Sequence, residues 1–268
     1  MDKIVELNKI YNIDCLQGMR LIENKSIDMI LCDLPYGTTA CSWDTIIPLD
    51  LLWDQYERII KDNGVIVLTA SQPFTTQLIN SKIELFREEI IWLKNRGGSG
   101  LGAKQRHIKT HENICVFSIN GKYTYNPQKW EVNEKEFLTQ RKTMSIYGTG
   151  NNIYGEMSQK RKKDDGTRFP ISVVPFRVPI TPSKSKKYSA SVDLRSHPTQ
   201  KPIALFEYLI KTYSNEGDIV LDNCIGSGTT AVACENLNRN WIGFDTEKEY
   251  VKIANKRLNN LRNITISI

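Results

Sequence analysis

No stretch of the 268-residue chain approaches the ~20 consecutive apolar residues of a membrane helix. The first residues, Met1-Asp2-Lys3-Ile4-Val5-Glu6, carry charge where a secretory leader would be apolar. Cysteine is sparse and scattered: six residues, Cys15, Cys32, Cys41, Cys115, Cys224 and Cys234, several of them inside apolar runs. That pattern suits free thiols in a reducing compartment rather than a disulfide framework. The expectation is a cytoplasmic protein without a membrane partner. Metal ligands are also short. His107, His111, Glu112 and Cys115 lie close in sequence, but the order His111-Glu112-Asn113-Ile114-Cys115 is not H-E-x-x-H. The surrounding residues read as strand, so they would not share a helical face, and no metal is expected. No Gly-Lys-Ser/Thr closes a glycine-rich turn, and no G-x-G-x-x-G spacing appears, which argues against a ligand held by its phosphates. There is no internal repeat.

What is present is ordinary in amount and uneven in place. A content of 40% hydrophobic and 25% charged residues suits one large globular domain, or one with a sizeable insertion. The formal net charge is +6. Between Asn120 and Arg195 there are fifteen Lys and Arg against seven Asp and Glu, a balance of +8, so the remainder stands at −2. A basic segment on a near-neutral body suits a polyanionic partner. It equally suits a solvated insertion.

Hydrophobic patterning alternates strands and helices before and after that segment. Lys9–Ile13, Ile27–Cys32, Val65–Leu68, Glu88–Leu93 and Asn113–Ile119 read as strands in the first part. Helices are expected over Leu16–Ile22, from Pro48 to about Lys61, and over Phe74–Asn80. Between the last two strands runs Asn95-Arg96-Gly97-Gly98-Ser99-Gly100-Leu101-Gly102, a glycine-rich loop with flanking cations. Periodicity dissolves from Gly121 to about Arg195, where aromatics such as Tyr123, Trp130, Phe169 and Tyr188 stand among basic residues, including the run Lys160-Arg161-Lys162-Lys163. So many aromatics predict an ordered but irregular insertion. Helix Ile203–Tyr213, strand Asp218–Leu221, helix Thr229–Asn236, strand Trp241–Phe244 and helix Glu249–Leu261 follow. The expectation is α/β: a doubly wound, mostly parallel sheet over 1–119 and 196–268, with 120–195 inserted.

Three runs carry chemistry. Strand Ile27–Cys32 empties into Asp33-Leu34-Pro35-Tyr36. An ionised carboxylate only accepts hydrogen bonds, Pro35 offers a carbonyl without a competing N–H, and Tyr36 offers a ring face. That set can hold a planar amine, such as the exocyclic amino group of a nucleobase. An ordinary proline turn has the same residue types. The second run, Asp222-Asn223-Cys224-Ile225-Gly226-Ser227-Gly228-Thr229-Thr230, follows a strand and opens a helix. Its glycines admit a ligand to the backbone. The next strand ends in Asp245, placed to accept from ribose hydroxyls. A glycine turn plus a ribose acid, without phosphate features, fits S-adenosylmethionine. The third run, His197-Pro198-Thr199-Gln200-Lys201-Pro202, opens a helix with a cation and hydroxyls that can hold a carboxylate, such as that cofactor's amino-acid end.

In this order the runs resemble the amino-methylating DNA methyltransferases of the circularly permuted beta group. There a D-P-P-Y segment precedes the target-recognition region, then H-x-T-x-K-P, then the cofactor loop. The resemblance covers essentially the whole chain. Leu34 replaces the first proline of the tetrad, and Asn223 and Ile225 vary the loop's usual D-P-F-C-G-S-G-T.

The resemblance implies a Rossmann-like S-adenosylmethionine-dependent fold, a double-stranded DNA partner, restriction-modification company, and a homodimer as an open expectation. It implies catalytic roles for Asp33, Pro35 and Tyr36, with the base flipped out of the duplex. It implies cofactor contacts for Asp14, at the adenine, and the adjoining Cys15. His197, Thr199, Lys201, Asp222, Cys224, Gly226, Gly228, Thr229 and Asp245 complete that set. Asp in the tetrad implies adenine N6 as the acceptor. Cytosine N4, usually paired with Ser there, is the alternative. Methylation of an amide in protein, or of RNA, goes with Asn-Pro-Pro-Tyr tetrads. A catalytically silent DNA-binding module is the reading from another class. Gln128, Gln140, Asn151 and Asn152 are candidate readers of base edges, and Gly37–Asp44, with Trp43, a candidate closing loop.

Overall fold

A computed structural model describes residues 5–38, 41, 44–98, 100–131, 166–181 and 200–266. His197, Thr199, Gln140, Asn151, Asn152, Trp43 and the run 160–163 lie outside the described residues.

One eight-stranded sheet organises the larger of two compact units, Met1–Asn126 with Ser172–Ile268. Its strands are β1 (Lys9–Asn12), β2 (Ile27–Asp33), β3 (Ile60–Ala70), β4 (Phe86–Lys94), β5 (His111–Phe117), β8 (Val173–Phe176), β9 (Ile219–Asp222) and β10 (Asn240–Asp245). The order is β1-β10-β9-β2-β3-β5-β4-β8. Only β5 runs against its neighbours; every other pairing is parallel. The second unit, Pro127–Ile171, contains β6 (Trp130–Glu131) paired antiparallel with β7 (Thr167–Arg168).

The sheet is apolar on both faces because β2 and β3 are apolar throughout their cores. Met29, Leu31, Val65 and Val67 enter one cluster, and Ile30, Cys32, Ile66 and Leu68 enter the other. Alternate side chains of a strand point to opposite faces, so these are the two sides of the sheet. Helices α4 (Ile203–Tyr213), α5 (Thr229–Asn236) and α6 (Lys248–Ile266) cover the first side. Helices α1 (Cys15–Met19), α2 (Leu49–Ile59) and α3 (Phe74–Ser81) cover the second. This is the doubly wound α/β architecture expected from the pattern. Among the described residues no helix is long and apolar enough to cross a membrane.

The structure differs from the expected boundaries at sites where tertiary contacts outweigh local preference. Pro48 caps α2 from an extended conformation rather than sitting inside it. That helix stops at Ile59 because Ile60 pairs with Ile27 and is buried. Helix α1 starts at Cys15, since the Asp14 carboxylate accepts from the Gln17 N–H at 3.1 Å and caps it. The largest difference is β8. It lies within the stretch read as irregular insertion, yet it pairs in parallel with β4 through Ile91–Val173 to Lys94–Phe176. Val174 is its buried residue. Pro175 cannot donate to a further ladder, and β8 is the edge strand where that is tolerated.

The strand order reverses between β9 and β2. The chain winds outward from β9 through β10 to one edge and from β2 through β3 to the other. Neighbouring connections at such a point leave opposite faces and open a crevice beyond the carboxyl ends of the strands. Asp222 and Asp33 are the last residues of those two strands, and Asp245 ends the next.

Candidate active site

A cavity of about 720 Å³ occupies that crevice. One end is lined by Asp33, Pro35, Tyr36, Lys94, Glu112 and Lys201, and the other includes Asp14, Cys15, Asp222, Cys224, Gly226, Thr229 and Asp245. Of the described residues expected at the site, only Gly228 is not on the wall. It serves the turn instead. At φ +80° it occupies the left-handed region, and a Cβ there would stand 2.8 Å from the Ala254 Cβ of α6. Gly228→Ala is therefore expected to destabilise the fold by about 1–3 kcal/mol. Thermal melting checks this, and an unchanged midpoint would contradict it.

The tetrad is anchored before any ligand arrives. Asp33 Oδ1 accepts from the Tyr36 hydroxyl at 2.7 Å and from the Thr69 hydroxyl of β3. The two hydroxyl oxygens are themselves 2.8 Å apart. Two hydrogens thus serve three contacts, and two of the bonds are made at a time. Asp33 Oδ2 takes the Lys201 ammonium at 2.5 Å. Tyr36 lies tilted by 26° on Phe74, centroid to centroid 5.6 Å, which fixes its plane. Burial, with Asp33 and Glu112 nearby, pushes its phenol well above the usual range, so it stays a neutral donor. Leu34, where the resembled tetrad has proline, is buried in the apolar cluster on the α1–α3 side of the sheet and borders the cavity. The departure is absorbed by packing. Asp44 closes the turn: its two oxygens accept from the Gly37 and Thr38 N–H groups at 2.9 Å each.

The carboxylate of Glu112 bridges two lysines. Its Oε1 accepts from Lys94 Nζ, and its Oε2 stands 3.3 Å from Lys201 Nζ. Burial disfavours the Lys201 cation, but the charges of Asp33 and Glu112 outweigh it and its pKa is raised. Burial likewise opposes ionised Glu112, and Lys201 with Lys94 reverse that, leaving its pKa lowered. Sequence reasoning assigned Lys201 to a cofactor carboxylate; the structure places its ammonium on Asp33. Thr69, Lys94 and Glu112 are site residues that the sequence reading misses, and Asp44 enters it only as the end of the candidate closing loop Gly37–Asp44. Among the described residues no group of three His, Cys, Asp or Glu is placed to hold a metal ion.

At the other end the loop after β9 is folded by acids. Asp222 accepts from the Cys224 N–H at 3.0 Å and from the Thr230 hydroxyl. Burial pushes Asp222 up to about 7. A carboxyl raised above its unfolded value of ~3.9 costs stability as pH climbs from there through the folded value, and the full cost is present above it. Between pH 5 and pH 8 the parent melting temperature should therefore fall more than that of Asp222→Asn. Equal falls would contradict this assignment. Asp245 accepts from the Gly226 N–H and the Glu247 N–H at 2.8 Å each. Each oxygen keeps a lone pair for a ligand hydroxyl. Gly243 on β10 lets the loop settle onto the sheet, since a Cβ there would meet the Ile225 Cδ1 at 2.2 Å. Burial pushes the Cys32 thiol up to about 12, and the thiols of Cys15 and Cys224, which line the cavity, are raised as well, so that wall carries neutral thiols.

Acids at the carboxyl ends of β2, β9 and β10, a glycine turn and one two-ended cavity define a Rossmann-like methyltransferase. The comparison with known proteins specifies the family. A model described as DNA methylase, N6_N4_Mtase, matches residues 27–256, and the chain belongs to that family. It is 49% identical over 262 residues to the type II methyltransferase M2.LlaDCHI of Lactococcus lactis subsp. cremoris, covering 93% of this chain and 88% of the relative. It is 27% identical to the DNA adenine methyltransferase YhdJ of Escherichia coli, covering 94% and 83%. The solved structure of the M1.HpyAVI–SAM complex superposes with a TM-score of 0.60 at 25% identity, over 93% of this chain and 98% of that one.

Proposed function

We propose that this chain is a site-specific DNA methyltransferase of the circularly permuted beta group, moving a methyl group from S-adenosylmethionine to N6 of a flipped-out adenine in double-stranded DNA. The observation that carries the proposal is the single cavity joining the Asp33–Tyr36 clamp to the Asp222–Asp245 loop. The residues at the loop end fit the cofactor. Asp245 has lone pairs for ribose hydroxyls, Asp14 stands at the wall beside them, and the thiols of Cys15 and Cys224 form an uncharged surface. Bound there, S-adenosylmethionine supplies an electrophilic methyl.

The chain's own residues do the rest. Three potential donors face the Asp33 carboxylate, the Tyr36 and Thr69 hydroxyls at Oδ1 and the Lys201 ammonium at Oδ2, and a carboxylate has about four lone-pair sites. An amino hydrogen entering the clamp has to share Oδ2 with the Lys201 ammonium. The Pro35 carbonyl takes the second hydrogen, and the Tyr36 ring, held by Phe74 and by its hydroxyl, sets the plane of the base. Hydrogen bonds to both amino hydrogens return electron density to a nitrogen otherwise conjugated with the ring. Catalysis is then chiefly alignment of that nitrogen with the methyl group. Asp33 receives the released proton, directly or through water.

Adenine is favoured by the Asp at the head of the tetrad and by similarity to a relative named an adenine methyltransferase. DNA contact is assigned to the inserted region 120–195, through its basic excess, and to the loop between β4 and β5. That loop holds Arg96, Lys104, Arg106 and Lys109 with no acid between positions 95 and 110. Lys109 Nζ reaches Ser71 Oγ on the cavity wall at 2.5 Å.

Expression in a methylation-free host, followed by single-molecule sequencing of its DNA, tests the proposal. Methylated adenine within one short recurring sequence is expected. Unmodified DNA, or methylcytosine alone, would contradict it.

A further inference from the structure

Glu112 poses a specific problem. Its Oε2 is one of two buried side-chain polar atoms without a hydrogen-bond partner among the described residues, the other being Arg87 Nε. A buried carboxylate oxygen held only by a long ion pair is under-satisfied and calls for an explanation. Its nearest cation is Lys201, at 3.3 Å, and that ammonium is committed to Asp33 Oδ2 at 2.5 Å. Both lone-pair sites of Asp33 Oδ1 are faced by the Tyr36 and Thr69 hydroxyls. An incoming amino group must therefore use Oδ2 and crowd Lys201 on the same oxygen.

We propose that Glu112 is a positioning residue that acts through Lys201: its Oε2 is the seat toward which the Lys201 ammonium moves when a substrate amino group enters the clamp, loosening its hold on Asp33 Oδ2 so that the amino hydrogen can share that oxygen. The move is small. Closing 3.3 Å to the 2.7–2.9 Å of a charge-assisted hydrogen bond takes about half an ångström. Lys201 is buried and stays paired with a carboxylate throughout, so no buried cation is stranded. Lys94 holds Glu112 from the far side through Oε1, which leaves Oε2 facing Lys201. Four charges alternate along the row Asp33, Lys201, Glu112, Lys94, and the row is neutral in either position of Lys201.

This inference rests on the clamp reading above. The test is Glu112→Gln, assayed by single-turnover methyl transfer to DNA, with cofactor and DNA affinities measured separately. An amide in place of the carboxylate weakens the seat and leaves Lys201 on Oδ2. The expected result is a transfer rate lowered roughly 10- to 100-fold, with both dissociation constants within about threefold of the parent value. In a Lys201→Met background the same substitution should cost nearly nothing more, because the residue it acts through is gone. Coupling of that kind is not expected of a merely structural glutamate. If Glu112→Gln melts, Lys94→Met/Glu112→Gln, which removes both outer charges, takes its place with the same expectation. A rate within twofold of the parent, or an undiminished loss in the Lys201→Met background, would overturn the inference. Asp33→Ala runs alongside. Activity in that variant would remove the clamp reading itself. An inactive Asp33→Ala beside a fully active Glu112→Gln would remove only the role of Glu112.

Discussion

Asp33→Ala is expected to lower methyl transfer by at least about 1000-fold while S-adenosylmethionine still binds with an affinity near that of the parent. The magnitude follows from what the substitution removes. The carboxylate supplies an acceptor for the amino hydrogen, organises the Tyr36 and Thr69 hydroxyls, and balances Lys201. Losing an oriented charge at the reacting group costs several kcal/mol of transition-state stabilisation. The cofactor end is untouched, because the Asp222 and Asp245 contacts do not pass through Asp33. Calorimetry and a labelled-methyl transfer assay separate the two effects. Comparable transfer by the variant, or loss of cofactor affinity equal to the loss of rate, would contradict this account.

Asp245→Ala should do the opposite. Its carboxylate holds the Gly226 N–H at 2.8 Å and offers lone pairs to ribose hydroxyls. Charge-assisted hydrogen bonds are each worth about 1.5–3 kcal/mol when lost from a partly buried site. An increase of about 100-fold in the S-adenosylmethionine dissociation constant is therefore expected, with much of the transfer rate recovered at saturating cofactor. A dissociation constant within threefold of the parent would place the ribose elsewhere. Asp222→Ala is a poorer probe, since that side chain ties the Cys224 N–H to the Thr230 hydroxyl and its loss would loosen the whole turn.

The residues that ended strands were the legible ones. Asp33, Asp222 and Asp245 each close an apolar run, and a strand that ends in an acid at a reversal of sheet order puts that acid in the crevice. Their roles could be read because the strand and the functional residue are neighbours in the chain. Thr69, Lys94 and Glu112 could not be read in that way. Thr69 reaches Asp33 from β3, while Glu112 on β5 reaches Lys201 and Lys94 on β4 reaches Glu112, and a threonine or a charge at the end of a strand looks like the solvated face of any sheet. One signal was available for Glu112. Lys201 stands between two prolines ahead of an apolar helix, and a buried lysine needs more than one counter-charge. Strand β8 was hidden for a different reason: Val173-Val174-Pro175-Phe176 is short, contains a proline and follows a basic aromatic stretch. Its pairing with β4 depends on backbone geometry that hydrophobic spacing does not carry. Leu34 departs from the tetrad, and its burial in the apolar cluster on the α1–α3 side of the sheet accounts for an apolar residue there.

The most direct measurement is nucleoside mass analysis of double-stranded DNA incubated with the protein and S-adenosylmethionine carrying an isotopically labelled methyl group. The account predicts labelled N6-methyladenine with the parent chain and none with Asp33→Ala. Label in N4-methylcytosine, label in no nucleoside, or equal label with Asp33→Ala would contradict it.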